Sequence, residues 1–221
     1  LKNGVDARKD QSYALWGLTQ ESLSRTLFPL GRFNKQDIRQ MALEFDLKTA
    51  NKPDSQEICF VADNNYERFL RERIPDVIDN IESGEMTYKG EKIGNHKGIP
   101  FYTVGQRKGL GVALGKPVYV KKIDQENNSI ELGDKEDLLQ NVLTAEDVNY
   151  VSLEKLNPGD VVICKIRYND KGQPAEVLES TDKTFKVRFM QPASAITPGQ
   201  SAVIYDEMGY VLAGGIISSG E

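Results

Sequence analysis

The sequence has few of the residues that build metal sites and disulfide frameworks. Its 221 residues include two cysteines, Cys59 and Cys164, and one histidine, His96. They form no CxxC pair and no cysteine–histidine cluster, so the sequence predicts no metal site and no disulfide scaffold. Two cysteines this far apart in a chain of this length are typical of a reducing compartment.

Long apolar runs are also absent. No stretch approaches the roughly 20 apolar residues that a membrane-spanning helix needs, and the N-terminal residues are charged and polar, unlike a secretory signal. The sequence therefore predicts no membrane partner and a cytoplasmic location. Hydrophobic residues make up 39% of the chain, which is enough to build a core and argues against a disordered protein.

Acidic residues are missing from one window of the chain. The formal net charge is −5, yet residues 92–122 contain no Asp or Glu and seven Lys or Arg. The next stretch, residues 124–137, holds six acids and one lysine. This segregation predicts a local site for a polyanion, and a solvated face that happens to lack acids is the alternative.

The first third of the sequence predicts three helices. One spans residues 11–27, a second is capped by Asn34, and a third ends before Pro75. The second helix carries apolar residues at the spacing of a buried stripe: Ile38, Met41, Ala42 and Phe45.

After about residue 85 the apolar period shortens to two, which predicts strands. They are expected at residues 101–104, 118–123, 129–132, 148–151, 161–168, 175–179, 185–189, 202–205 and 210–217. Phe185, Val187 and Phe189 alternate with basic residues, as in a half-buried antiparallel strand. Cys164 shares a face with apolar neighbours and is predicted to lie in a barrel core.

These patterns predict an α+β fold that is mainly β. The expected parts are a helical segment over residues 1–63, a β-rich central domain over 64–143 and a C-terminal antiparallel β-barrel over 144–221. A small barrel by itself predicts no more than a binding module, because a fold does not determine function.

Cys59 lies in the segment Asp54–Phe60, where a polar loop enters a short apolar run. From the residues alone, a small buried side chain is the commoner interpretation of such a cysteine. A thiol that a partner can reach at a loop–strand junction is the alternative.

Four segments, in the same order, resemble the tRNA 2-thiouridylase family of bacteria and mitochondria. The most distinctive is the ten-residue stretch Tyr102–Gly111, which follows Gly94–Gly98. The others are Lys9–Tyr13, Asp54–Phe60 and Pro198–Val203 with Gly214–Ile217. The resemblance covers essentially the whole chain.

The resemblance implies ATP-dependent transfer of sulfur to C2 of the wobble uridine 34 of tRNA. Cys59 matches the catalytic cysteine that carries a persulfide, which a sulfur donor protein supplies. In the family, ATP converts the C2 oxygen into a good leaving group, and a second cysteine closes a disulfide with the first to release the product. A persulfide acts through its deprotonated form, as thiols do in exchange reactions.

The chain departs from the family pattern in one respect. It contains no Ser-Gly-Gly-x-Asp-Ser phosphate loop, and neither of its cysteines matches the second catalytic cysteine of the ATP-binding domain. The resemblance therefore implies the C-terminal portion of a tRNA-uridine 2-sulfurtransferase, bacterial rather than mitochondrial, with ATP bound elsewhere. Alone, this portion is expected to be inactive.

The resemblance also assigns tRNA contacts. Lysine and arginine suit phosphates, glutamine suits a base edge, and tyrosine can stack on RNA. The residues that match family contacts are Lys9, Asp10, Gln11, Arg167, Tyr168 and Gln200. The structural alternatives are a helix cap for Asp10, core packing for Tyr168 and an ordinary turn for Gln200.

Two other function classes stay open. A non-catalytic RNA-binding β-barrel module is the alternative that composition alone favours. A stand-alone thiol enzyme using Cys59 is the third, but its only histidine, His96, lies in a glycine-flanked loop and offers no evident base. The Cys59 motif favours the sulfur-transfer enzyme, because a binding module has no need of a cysteine there.

Overall fold

The computed structural model describes residues 1–53, 61, 65–78 and 80–221. The chain divides into two compact units: Leu1–Asn51 with Leu139–Glu221, and Lys52–Leu138. The predicted division into three parts at residues 63 and 143 stays a prediction. Cys59 and most of its motif lie outside the described residues.

The α-helices of the described residues are short and lie between residues 20 and 78. They are α1 (Gln20–Ser24), α2 (Lys35–Glu44), α3 (Tyr66–Arg73) and α4 (Pro75–Ile78). The predicted start of α2 is confirmed, because Asn34 and Asp37 form a capping box. The predicted end of α3 before Pro75 is confirmed as well.

Two helix predictions were wrong. Residues 11–27 form a 3₁₀ turn at Ser12–Leu15 and then α1, because the intervening carbonyls of Trp16 and Leu18 accept hydrogen bonds from the Asn149 side chain. The stripe on α2 is not fully buried: three of its residues are half-buried, and Phe45 is 70% exposed.

The second part of the first unit is a closed antiparallel barrel of six strands. The strands are β5 (Leu139–Tyr150), β6 (Val161–Lys165), β7 (Gln173–Ser180), β8 (Phe185–Ser194), β9 (Ser201–Tyr205) and β10 (Val211–Gly220). They follow the order β10-β5-β8-β7-β6-β9, and β9 pairs with β10 to close the barrel. This confirms the predicted α+β, mainly β class with an antiparallel barrel.

The barrel core is built by the alternation that the sequence shows. Phe185, Val187 and Phe189 are buried, whereas the Lys186 and Arg188 side chains between them are not. Cys164 has no exposed surface, as predicted, and packs in the same core. Burying each of the large side chains stabilises the fold by about 1.5–3 kcal/mol.

The second unit contains a four-stranded sheet in the order β2-β1-β4-β3. Its strands are β1 (Gly84–Tyr88), β2 (Glu91–His96), β3 (Tyr119–Asp124) and β4 (Ser129–Gly133). β1 and β4 are parallel, and the other pairs are antiparallel. The sequence did not predict β1 and β2, which are polar, and it placed a strand at residues 101–104. Phe101 instead ends a 3₁₀ turn, Ile99–Phe101, that follows Gly98, where φ is +129°. Residues 102–104 form no strand.

Candidate functional site

The first residues of the chain are attached to the outside of the barrel by backbone hydrogen bonds. The Asn3 amide donates to the Gly209 carbonyl at 2.9 Å, and the Val211 amide donates to the Leu1 carbonyl at 3.0 Å. Glycine suits position 209 because its φ is +82°, in the left-handed region, and a Cβ there would also lie 2.3 Å from the Asn3 side chain. The attachment brings the Lys9–Tyr13 motif close to the barrel.

Two aromatic residues fix the motif to β9. The Tyr13 hydroxyl donates to the Ser201 carbonyl at 2.8 Å, and the Trp16 indole N–H donates to the Ser201 hydroxyl at 3.0 Å. Gly214 makes room for the indole, because a Cβ there would lie 2.5 Å from Trp16 Cγ. Gln200, a predicted tRNA contact, directly precedes this anchor and is exposed.

Asp10 is held by the protein itself. Its Oδ1 accepts hydrogen bonds from the Gly4 amide at 2.9 Å and the Ser12 amide at 3.1 Å, and its Oδ2 accepts one from the Ser12 hydroxyl at 2.7 Å. Lys165 Nζ lies 3.9 Å from the same Oδ2, and the Asp10 side chain is only 6% exposed. Asp10 is therefore held within the fold, although not as a helix cap, because Gln11 occupies the N-cap position of the 3₁₀ turn. Lys9 and Gln11 on either side of Asp10 are exposed.

Lys165 and Tyr205 extend this network into the barrel. Lys165 Nζ lies 4.9 Å from the centre of the Tyr205 ring, and the Tyr205 hydroxyl is 3.1 Å from the Ser12 hydroxyl. Neither role was predicted from the sequence. An outward-facing lysine on a barrel strand is normally solvated, and only the residues packed over β6 and β9 explain why this one is 17% exposed.

A cleft of about 680 Å³ opens beside this network. The residues that line it include Arg8, Asp10, Lys165, Tyr168 and Lys171. Tyr168 is 45% exposed, because β6 ends at Lys165 and the predicted alternation does not continue. Core packing was therefore the wrong interpretation of Tyr168. Its neighbour Arg167 is also exposed and donates a hydrogen bond to the Ser194 carbonyl.

The fold thus brings together two of the predicted contact segments, which are far apart in sequence. Asp10 and Tyr168 line one cleft, and Gln200 precedes the Ser201 anchor of the same N-terminal segment. A surface that combines an exposed tyrosine with lysine and arginine suits RNA, which is bound by stacking and by phosphate contacts.

Burial of Tyr13 and Tyr205 predicts alkaline sensitivity of this attachment. Burial raises the pKa of each phenol from its ordinary value near 10 to about 12. The folded protein therefore keeps protons that the unfolded chain releases. Its stability is unaffected below pH 10 and falls as the pH rises from 10 to 12, by at most about 1–2 kcal/mol per tyrosine, because both phenols are partly screened by solvent.

The Tyr13→Phe/Tyr205→Phe variant tests this expectation. Urea unfolding at pH 9, 10 and 11 should show a smaller loss of unfolding free energy in the variant than in the wild type. Equal losses in both proteins would mean that other groups cause the alkaline sensitivity.

His96 in the second unit has a structural role. Its Nδ1 accepts a hydrogen bond from the Gly98 amide at 3.1 Å, so the proton sits on Nε2, which donates to the Asn128 carbonyl at 3.0 Å. The side chain is 1% exposed and packs edge-on against Tyr102. Both ring nitrogens are used within the fold, so His96 is not placed to act as a base.

In the ranges that the structure describes, two amides of the glycine-rich stretch Tyr102–Gly111 are already bonded within the fold. The Gly105 amide donates to the Val120 carbonyl at 2.8 Å, and the Gln106 amide donates to the Thr103 carbonyl at 2.9 Å. Amides that are used in this way cannot cradle a phosphate. Within the same described ranges, no three His, Cys, Asp or Glu side chains cluster as metal ligands, and no helix is long and apolar enough to cross a membrane.

Three family models match the chain in succession. The tRNA methyl transferase HUP domain matches residues 1–63, the tRNA methyl transferase PRC-barrel domain matches residues 67–134, and the Aminomethyltransferase beta-barrel domain matches residues 140–217. Together they cover the chain almost from end to end.

Curated bacterial relatives match over nearly the whole chain. The tRNA-specific 2-thiouridylase MnmA of Salinibacter ruber is 48% identical over 98% of this chain and 57% of its own length. Those of Halothermothrix orenii and Acetivibrio thermocellus are 47% and 48% identical over 98% of this chain and 60% of their own lengths. The chain thus spans less than two thirds of the length of these relatives. With three matching domain models in order and close to half of the residues identical, the chain belongs to the tRNA-specific 2-thiouridylase family.

Proposed function

We propose that this chain is part of an enzyme that transfers sulfur to C2 of wobble uridine 34 in tRNA, in an ATP-dependent reaction. Cys59 is the proposed catalytic residue, which receives a persulfide from a donor protein. The relatives are 2-thiouridylases by name, and the Cys59 motif of this sequence resembles the family's persulfide-bearing segment. No described residue is assigned to ATP, and the proposed location is the bacterial cytoplasm.

The proposed tRNA surface lies on the first unit. It consists of Lys9, Gln11, Arg167, Tyr168 and Gln200, together with the cleft that Asp10 and Tyr168 share. The Lys9–Gln11 and Arg167–Tyr168 segments are far apart in the sequence, and their juxtaposition is the observation that supports this surface. Exposed cations hold phosphates, and the Tyr168 ring offers a face for a base.

Within this surface we assign Asp10 a positioning role. Its carboxylate is surrounded by the Gly4 and Ser12 donors and by Lys165, so it holds the loop that presents Lys9 and Gln11. A carboxylate facing RNA phosphates would in addition be repelled by them. This assignment refines the predicted direct contact.

The chain alone is expected to form no 2-thiouridine. It carries neither a phosphate loop nor a second cysteine of the family type, so it can neither activate the C2 oxygen nor release the product. The measurement is nucleoside analysis of tRNA after incubation with the chain, ATP and a persulfide donor. The full-length Salinibacter ruber relative serves as the positive control.

A chimera tests the proposed reaction itself. It joins the part of the Salinibacter ruber relative outside the matched region to Leu1 of this chain, and 2-thiouridine formation should return. Formation of 2-thiouridine by the chain alone would contradict the proposal that the reaction needs the added part of the relative. A folded chimera that binds tRNA and ATP without forming 2-thiouridine would instead favour the RNA-binding module.

A further inference from the structure

The seven basic residues of the acid-free window, residues 92–122, do not form one patch in the folded protein. Four of them pair with acids of neighbouring strands or loops: Lys92 with Glu85 at 2.7 Å, Lys116 with Asp134 at 2.7 Å, Lys121 with Glu131 at 2.6 Å, and Lys122 with Asp124 at 3.8 Å. The antiparallel pairing of β3 with β4 folds the acidic stretch back onto the basic one. Most of the segregated charge is thereby neutralised locally.

Three cations of the window are left over. Lys97, Arg107 and Lys108 are exposed and have no acidic partner within 4 Å in the ranges that the structure describes. Arg107 and Lys108 are adjacent in one loop. The Lys97 amide bonds to the Tyr102 hydroxyl at 3.4 Å, which places Lys97 at the base of that loop.

The loop that carries Arg107 and Lys108 is held in shape by a side chain. Gln106 accepts a hydrogen bond from the Thr103 amide at 3.0 Å and donates one to the Lys108 carbonyl at 2.9 Å, so it bridges the turn. Gly105 and Gly109 have φ values of +86° and +75°, which permit this tight path. The side-chain amide of Gln106 therefore closes the turn, and the Arg107 and Lys108 side chains are exposed.

The two ends of the loop are anchored in the core of the second unit. Tyr102 and Leu110 are buried in the cluster that also contains Val120. The Gly105 amide and the Gln106 carbonyl both bond to the backbone of Val120, at 2.8 and 2.9 Å. Because the backbone is already ordered, the loop gives up little further freedom when a ligand binds.

We propose that Arg107 and Lys108, with Lys97 at the base of their loop, form a second RNA-binding site that holds the phosphate backbone of the tRNA. This site lies on the second unit and is separate from the surface around Tyr168. It rests on the proposed function, since tRNA is the polyanion that the enzyme would bind. The planar guanidinium of Arg107 can hold a phosphate with two parallel hydrogen bonds, and Lys108 adds a point charge.

Gln106 is the positioning residue of this site. Among the described residues, its side-chain amide forms hydrogen bonds with the backbone of the turn, so Gln106 acts through the placement of Arg107 and Lys108. Phosphate contacts carry no sequence information, so the site should add affinity for every tRNA equally. Discrimination for uridine 34 belongs to the first unit, where Gln11 is the exposed candidate for a base edge.

The test is a salt titration of tRNA binding, measured by fluorescence anisotropy with the wild-type chain and four variants. Arg107→Ala/Lys108→Ala should bind about 10-fold more weakly and flatten the log–log salt slope by roughly one to two units. The matched control, Lys121→Ala/Lys122→Ala, removes the same charge from paired positions and should change the slope by less than about half a unit. Gln106→Ala keeps every charge and should weaken binding by about 3-fold or more.

The possible outcomes distinguish a failure of the second RNA-binding site from a failure of the proposed function. Equal effects of the two double variants would mean that binding depends only on the total charge of the chain. An unaltered slope in Arg107→Ala/Lys108→Ala would mean that these two residues belong to a solvated face that does not contact RNA. Either result overturns the second site while leaving the surface around Tyr168 intact. If the wild-type chain, folded by circular dichroism, binds no tRNA even at low salt, both proposals fail. Gln11→Ala gives the contrasting pattern, with loss of discrimination between tRNAs with and without uridine 34 and an unchanged slope.

Discussion

Iodoacetamide is expected to alkylate Cys59 of the native chain at least about 1,000-fold faster than Cys164. Cys164 has no exposed surface and lies inside a closed barrel, and burial raises the pKa of its thiol. Both effects suppress the reactive thiolate. A reagent reaches it only when the barrel opens, and a domain with an unfolding free energy of 5 kcal/mol or more is open less than about 0.1% of the time.

The motif around Cys59 motivates the other half of the expectation. A cysteine that accepts a persulfide from a donor protein and passes it to a tRNA must be reachable by both. Mass spectrometry of the native chain should therefore find the label on Cys59, and the second label should appear only in denaturant. Preferential labelling of Cys164 under native conditions would contradict both the burial of Cys164 and the assignment of Cys59.

Matched substitutions of Cys59 and Cys164 test the same distinction by measuring 2-thiouridine formation. In the chimera with the Salinibacter ruber part, Cys59→Ser should abolish 2-thiouridine formation, because a hydroxyl cannot carry a persulfide. Cys164→Ala is the control and should keep turnover, with a loss of stability of about 1–2 kcal/mol from the removed core sulfur. Full activity of Cys59→Ser would exclude Cys59 as the persulfide carrier.

The barrel could be predicted from the sequence because apolar and polar residues alternate within each strand, which shows the side chains that face the core. Phe185, Val187 and Phe189 alternate with basic residues, and that local pattern survives in the fold. The break in the predicted helix at residues 11–27 could not be predicted in this way. It depends on Asn149, a residue of β5 whose side chain captures carbonyls of the N-terminal segment.

The candidate sites show the same limit. The sequence reveals the order of charges but not their pairing, so residues 92–122 look like one basic patch until β3 pairs with β4. The alternation of β6 predicted that Lys165 points outward, and it does, but the N-terminal segment then covers it. Contacts between segments that are distant in sequence therefore decide which charged residues stay free to bind RNA.

Asp10→Ala is expected to lower the unfolding free energy by about 2–4 kcal/mol. The substitution leaves the Gly4 and Ser12 amides without an acceptor and leaves Lys165 partly buried beside an empty position. Each buried donor that loses its partner costs about 1–3 kcal/mol, and a buried cation without its carboxylate adds to this. Urea unfolding, followed by the fluorescence of Trp16, measures the change close to the network.

The matched control is Asp182→Ala, which removes the same carboxylate from an exposed turn of the barrel. Its unfolding free energy should stay within about 0.5 kcal/mol of the wild type. Asp10→Asn is the conservative variant. Its amide oxygen can still accept from the Gly4 and Ser12 amides, so it should recover part of the stability that Asp10→Ala loses.

Binding of tRNA then distinguishes a positioning residue from a direct contact. If Asp10 acts through the loop that presents Lys9 and Gln11, Asp10→Ala should weaken tRNA binding and lower stability together, and Asp10→Asn should restore part of both. If Asp10 touches the RNA directly, binding should weaken while the unfolding free energy stays at the wild-type value. That second result would contradict the network of Asp10, Ser12 and Lys165 as the support of this surface.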